Sequence, residues 1–135
     1  MFSHITQVRV RYGETDRMGY VYYGIYAQYF EVGRVEALRS LGLSYKRMED
    51  DGIMLPVHDL QVKYHKPAFY DDELTITTRI IAIPSVRIVF NHEVRNAQDE
   101  LITEASTALV FIDKATGRPC RAPQVLIDLF APWSA

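Results

Sequence analysis

The chain has 135 residues, a formal net charge of −2 and a single cysteine. One cysteine excludes an internal disulfide and favours a reducing compartment. The interspersed charges give no electrostatic signature of nucleic-acid binding, and no apolar run approaches the roughly 20 residues of a membrane span. We therefore expect one cytoplasmic domain over residues 1–135, with no nucleic-acid partner and no membrane insertion.

A short strand and a long helix are predicted at the start of the chain. Alternating apolar residues predict a strand from His4 to Tyr12. From Tyr22 the apolar residues recur every three or four positions, which predicts an amphipathic helix of about five turns that stops at Gly42. A shorter helix should follow over residues 44–51, with Ser44 as its cap.

The rest of the chain is predicted to be mostly extended. Strand patterns occupy residues 54–66, 74–83, 86–95 and 101–112, and a short helix follows Pro123. Short connections between the last strands favour antiparallel hairpins, so the predicted class is α+β, without a wound parallel sheet.

One helix cannot cover both faces of a five-stranded sheet, so the other face or an edge should meet a partner subunit. The apolar positions that suggest this are Ile81, Ile83, Val89, Val110 and Ile112.

The segment YGETDRMGYVYYG, at residues 12–24, is the main candidate for a functional site. Asp16 precedes the long helix in a loop that Gly19 and Gly24 leave sterically open. A helix N-terminus offers unpaired N–H groups and a positive dipole end, which suit a developing oxyanion. A carboxylate beside such donors could hydrolyse an acyl group, although the spacing alone also allows Asp16 simply to cap a turn.

Glu14 competes with Asp16 for this role. It points to the same side only if the chain stays extended, and its simpler interpretation is a solvated charge at a strand end. Tyr22, Tyr23 and Tyr26 could line a pocket, although aromatic residues at helical spacing are more often part of a core.

Other chemistry has little support in the sequence. The four histidines lack the spacing and the companion ligands of a metal site. No glycine-rich phosphate loop and no nucleophilic serine motif is present. We therefore expect neither a metal nor a redox cofactor.

The segment YGETDRMGYVYYGIYAQYFEVGRVE resembles the N-terminal signature of hotdog-fold acyl-CoA thioesterases of the 4-hydroxybenzoyl-CoA thioesterase type, which include the Tol-Pal-associated thioesterases. The likeness continues through VKYHKPAFYDDELTI and ends at the turn DKATGRP. It implies a hotdog fold, in which a five-stranded antiparallel sheet wraps around a long central helix. It also implies a homo-oligomer, either a dimer or a homotetramer, with the active site at the interface of two subunits.

The resemblance further implies hydrolysis of acyl thioesters of coenzyme A or of an acyl-carrier protein, with coenzyme A entering as part of the substrate. The family's catalytic aspartate falls on Asp16, and its carbonyl-polarising main-chain N–H falls on Tyr23. The positions around this pair are expected to contact the substrate: Gly19, Val21, Tyr22, Gly24 and Tyr26.

Two residues depart from the family pattern. Tyr23 stands where many members have His, but the implied role of this position uses the main chain. Ile25 replaces a small polar residue, usually Asn, and so removes a hydrogen-bonding side chain near the reacting carbonyl. This leaves open a second hypothesis, a non-catalytic subunit that binds acyl thioesters. A dehydratase of the same fold is a weaker alternative, because the loop before the long helix holds no His.

The phosphates of coenzyme A need basic partners near the site. The candidates in the sequence are Lys63, Lys66, Arg87 and Arg95, although each could equally be a solvated strand charge.

Overall fold

The structure is a computed structural model, and it describes residues 1–133. In chain order its elements are β1 (Phe2–Arg9), α1 (Ile25–Ser40), α2 (Tyr45–Asp50), β2 (Ile53–Met54), β3 (Val57–Tyr64), β4 (Glu73–Ile80), β5 (Arg87–Arg95), β6 (Leu101–Val110), β7 (Ile112–Asp113) and α3 (Gln124–Phe130). Short 3₁₀ turns lie at Tyr12–Glu14 and Ala131–Trp133.

Five strands form one sheet in the order β1-β4-β5-β6-β3, and every neighbouring pair is antiparallel. The two short strands β2 and β7 form a separate antiparallel ladder. The predicted α+β class and five-stranded antiparallel sheet are therefore confirmed. Strands β1 and β3 are the edges of this sheet.

Four predicted strands differ from their bounds in the structure by two or more residues, and one of them, predicted over residues 74–83, already ends at Ile80. The first ends at Arg9, because residues 12–14 turn into a 3₁₀ helix that leaves Tyr12 exposed. The segment 54–66 divides at Pro56, whose carbonyl accepts the Val110 N–H at 3.1 Å. The segment 101–112 divides into β6 and β7, because its last residues pair with β2 and leave the main sheet.

Helix α1 lies across the inner face of the sheet, against β1, β4 and β5. Gly33 permits this close approach, because a Cβ atom at this position would stand 2.6 Å from the Thr78 Oγ1 atom. The helix stops as predicted: Gly42 adopts a φ of +82°, and Ser44 caps α2 by accepting the Arg47 N–H at 3.1 Å.

The core consists of two apolar clusters. The cluster near the start of α1, called here the site-end cluster, contains Val10, Val21, Tyr26, Tyr29, Phe30, Ala68, Leu74, Ile76, Val94 and Ile102. The cluster near the end of α1, called here the far-end cluster, contains Phe2, Ala37, Leu38, Met48, Ile80, Ile88, Phe90, Leu109, Phe111, Ala122, Leu126 and Phe130.

A polar row runs across the inner face of the sheet between these clusters. His4, Thr78 and His92 occupy directly paired positions on β1, β4 and β5. Thr78 and His92 are fully buried, and 3.1 Å separates Thr78 Oγ1 from His92 Nδ1. Gly33 of α1 lies directly over this row.

The apolar positions predicted to face a partner are dispersed in the structure. Val89 and Val110 are half-buried on the outer sheet face, whereas Ile81 and Ile83 are exposed after the end of β4. Ile112 belongs to the small β2–β7 ladder. Within residues 1–133, no helix is both long and apolar enough to cross a membrane.

Candidate active site

The loop that precedes α1 folds back on itself. Thr15 and Val21 form an isolated antiparallel bridge, and the Asp16 N–H donates to the Tyr20 carbonyl at 2.8 Å. Gly19 closes the turn with a φ of +85°, a conformation that favours glycine. Residues 14–22 therefore form a tight, hydrogen-bonded loop.

Asp16 uses one carboxylate oxygen to cap this turn. Its Oδ1 accepts the main-chain N–H groups of Met18 at 2.9 Å and of Tyr20 at 3.3 Å. Its Oδ2 has no hydrogen-bond or ion-pair partner among residues 1–133. The capping and the chemical interpretations of Asp16 are thus compatible, since one oxygen orients the group and the other is free.

The start of α1 presents unpaired N–H donors. The Tyr22 N–H donates to the Glu14 carbonyl and the Ile25 N–H to the Tyr22 carbonyl, both at 2.9 Å. The N–H groups of Tyr23 and Gly24 have no acceptor within the described part of the chain. The first turn of α1 also carries no acidic residue, so the positive end of its dipole is not neutralised locally.

Asp16 and Tyr23 line the same cavity of about 300 Å³. Of the expected substrate contacts, Val21 and Tyr26 also line this cavity. The complete lining is Asp16, Met18, Tyr20, Val21, Tyr23, Tyr26, Tyr64, His65, Lys66 and Pro67.

The other three expected contacts, Gly19, Tyr22 and Gly24, lie in the same loop but not in the cavity wall. The Tyr22 ring packs instead against the Tyr23 ring, with 4.8 Å between centroids.

The opposite wall of the cavity comes from the end of β3 and the residues after it, of which the sequence analysis had indicated only Lys66. The Tyr64 hydroxyl donates to the Tyr23 carbonyl at 3.2 Å, and its ring meets the Tyr26 ring edge-on at 5.6 Å. Burial raises the pKa of both the Tyr64 and the Tyr26 phenols, so these groups remain protonated donors at neutral pH. The motif around VKYHKP identified a strand, and among its residues only Lys63 and Lys66 had a candidate role, as partners of the coenzyme A phosphates.

Basic groups complete this wall. Lys66 pairs with Glu100, and His65 Nε2 lies 3.6 Å from Glu104 Oε1.

Ile25, which departs from the family pattern, packs against the site-end cluster. Among residues 1–133, no group of three or more His, Cys, Asp and Glu side chains could hold a metal ion.

The interpretation of Glu14 as a solvated strand-end charge is wrong. The residue is only 8% exposed, because the 3₁₀ turn directs its side chain inward to Arg11 and Tyr29. Glu14 is absent from the cavity wall, so it is not a second free carboxylate beside Asp16.

Several known proteins are similar to this chain in sequence and in fold. A family model described as the thioesterase-like superfamily matches residues 10–130. YneP of Bacillus subtilis is 34% identical over 90% of this chain and 88% of its own. The acyl-CoA thioester hydrolase YbgC of Escherichia coli is 32% identical over 91% of this chain and 92% of its own. The crystal structure of DHNA-CoA thioesterase from Staphylococcus aureus superimposes with a TM-score of 0.86 at 39% identity, covering 98% of this chain and 85% of that one.

The architecture is therefore the hotdog fold that the sequence motifs implied. The chain belongs to the thioesterase-like superfamily. This membership confirms the expected class of enzyme, the thioester hydrolases.

Proposed function

We propose that this protein hydrolyses acyl thioesters of coenzyme A, or of an acyl-carrier protein, to the free acid and the thiol. The observation that carries the proposal is the shared cavity of Asp16 and Tyr23, with an unpaired carboxylate oxygen on one residue and an unpaired main-chain N–H on the other. The superfamily membership and the named activity of YbgC support the same reaction.

Asp16 Oδ2 acts as a general base or as the nucleophile. As a base it removes a proton from water while the water oxygen bonds to the thioester carbon. As a nucleophile it bonds to that carbon itself, and water then cleaves the mixed anhydride. In both routes the carbon–sulfur bond breaks, the electron pair leaves on sulfur, and the thiolate takes up a proton.

The Tyr23 N–H stabilises the negative charge that develops on the carbonyl oxygen. Loss of one such donor typically costs about 3 kcal/mol in the transition state. A thioester carbonyl has little resonance stabilisation, so one carboxylate and one or two N–H donors are enough for this chemistry. We also assign the coenzyme A phosphates to Lys66, because it alone of the four basic candidates lies in the wall of this cavity as the structure describes it.

We further propose that the active form is a homo-oligomer in which β3 meets a second copy of the chain. Strand β3 is an edge of the sheet, and its side chains are largely exposed, including Val57, Leu60 and Tyr64. Tyr64 also lines the cavity, so a second copy along β3 would border the site directly.

The central test is Asp16→Asn, assayed by thiol release from acyl-CoAs that range from acetyl to long-chain and aromatic. We expect turnover to fall by about two to four orders of magnitude with the fold intact, because the amide is neither a base nor a nucleophile. Asp50→Asn, on the exposed end of α2, is the matched control and should keep full activity.

A variant Asp16→Asn as active as the parent would remove Asp16 from the mechanism. A parent that binds acyl-CoAs and releases no thiol from any of them would overturn the hydrolase proposal and favour the non-catalytic binding subunit.

A further inference from the structure

We propose that Glu14 is a positioning residue, which holds the Asp16 loop in register with the start of α1. The inference rests on the proposed function, because Glu14 acts through Asp16 and has no contact with the cavity. Its burial is the first reason to assign it a role. Glu14 is only 8% exposed, although the residues before it, Tyr12 and Gly13, are exposed. The cost of burying its carboxylate must be compensated by hydrogen bonds.

Two residues donate the hydrogen bonds that compensate the burial of the Glu14 carboxylate. Its Oε1 accepts the Arg11 main-chain N–H and the Tyr29 hydroxyl, both at 2.9 Å. Its Oε2 accepts Nε and Nη2 of the Arg11 guanidinium at 3.2 and 3.0 Å. Burial alone would raise the pKa of the Glu14 carboxyl, but these hydrogen bonds outweigh it and lower the pKa, so the group stays charged.

The Tyr29 contact connects the loop to the helix. Tyr29 is buried in the second turn of α1, fifteen residues after Glu14, and belongs to the site-end cluster. Because its hydroxyl is anchored in the packed core, the Glu14 carboxylate is held at a fixed place relative to α1.

The main chain of Glu14 makes the second connection. Its carbonyl accepts the Tyr22 N–H at 2.9 Å, and Tyr22 directly precedes the donor residue Tyr23. Glu14 therefore connects the two arms of the loop. Asp16 lies two residues after Glu14 on the first arm, and Tyr23 directly follows Tyr22, the hydrogen-bond partner of Glu14 on the second arm.

This arrangement determines the distance between the two reacting groups. Asp16 and the Tyr23 N–H must hold a thioester and a water between them, and a misplacement of about 1 Å in such a geometry can cost about 10²-fold in rate. Removal of the Glu14–Tyr29 link frees the loop to shift against α1 without removing any group from the cavity.

The test compares Glu14→Gln and Tyr29→Phe with Glu73→Gln. Tyr29→Phe removes the donor of the link, whereas Glu14→Gln removes the negative charge that strengthens it and sets an amide NH2 against the Arg11 guanidinium. For both variants we expect kcat to fall about tenfold with KM changed less than about twofold, because the cavity wall is intact. The double variant should lose less than the product of the two single losses, since both substitutions act on the same link. Glu73→Gln breaks the exposed Arg9–Glu73 ion pair with the same change of charge, and it should keep the parent's kcat.

A second comparison separates positioning of Asp16 from a general loss of stability. In the Asp16→Asn background, Glu14→Gln should leave the residual kcat unchanged, because the residue it positions no longer reacts. A general structural defect would lower the rate in both backgrounds. Circular dichroism at the assay temperature checks that each variant is folded, and Tyr29→Phe, which removes one oxygen atom, tests the link if Glu14→Gln does not fold.

Full activity of Glu14→Gln and Tyr29→Phe in an active parent would overturn this inference and leave the proposed function standing. An equal loss of kcat with and without Asp16 would overturn it as well. A parent without hydrolase activity would overturn both proposals, so the two failures are distinguishable.

Discussion

Tyr23 lines the cavity and has an unpaired main-chain N–H within the described part of the chain, whereas its side chain is largely exposed to solvent. The residue is 63% exposed, and its ring contacts the rings of Tyr22 and Tyr64. The main-chain and side-chain contributions of this residue can therefore be separated by substitution.

Tyr23→Phe should reduce kcat/KM by less than about threefold, because the substitution keeps the N–H donor and removes only the phenol oxygen. Thiol release from the preferred acyl-CoA measures the effect, with the exposed Tyr12→Phe as the control. A loss as large as that of Asp16→Asn would require a chemical role for the phenol.

The sequence predicts the position of the candidate site better than its lining. Two acids before a helix identified the loop, and the family motif selected Asp16 between them. The burial of Glu14 could not be predicted, since it depends on a hydrogen bond to Tyr29 that forms only when the loop folds back. Apart from Lys66, the wall from Tyr64 to Pro67 was missed for a similar reason, because it approaches α1 only in the folded sheet.

The interface between α1 and the sheet contains an unusual buried group, the imidazole of His92. It stacks on the Phe30 ring with 5.0 Å between centroids and faces Thr78 Oγ1. Burial is the larger cause and the charge of the nearby Arg34 guanidinium the smaller one, and together they lower the pKa of His92 to about 3.

This burial makes the stability of the fold depend on pH. The pKa of His92 in the folded state lies below the value of about 6.5 for an unfolded chain, so the unfolded state binds the proton first as the pH falls. Stability should therefore decline from about pH 6.5 towards pH 3. At pH 5 the expected loss relative to pH 7 is about 2 kcal/mol from this group.

His92→Gln should remove this part of the pH dependence, as measured by urea unfolding at pH 7 and pH 5. The exposed His58→Gln is the control and should keep the slope of the parent. An identical pH dependence in the parent and in His92→Gln would show that the imidazole is already charged or solvated in the folded state.

The elements themselves follow closely from local sequence. The period of α1, the Ser44 cap, the Gly42 stop and the existence of the four main strands after α2 were predicted and are confirmed, whereas the bounds of most of these strands differ. The division of the extended segments was not predicted, because it depends on the pairing of β2 with β7, residues far apart in the chain. The close approach at Gly33 is likewise a tertiary contact that the helical period does not contain.

At the scale of the whole molecule, the proposed association of two copies of the chain through the exposed edge strand β3 can be tested. Light scattering should give a mass of at least twice the 15.6 kDa of one chain. Leu60→Lys should reduce this mass by placing a charge on β3, whereas Ile5→Lys, equally on an exposed edge strand, should not. A parent of 15.6 kDa, or two variants with the parent's mass, would contradict association through β3.

The division of the core into two clusters also has a consequence for the effects of substitutions. The polar row lies between the cluster nearest the cavity and the cluster around α3, so we expect substitutions at far-end positions away from this row to change the geometry of the cavity little. On this expectation, thermal stability and substrate preference depend on different sets of residues, and either could be changed by substitution without loss of the other.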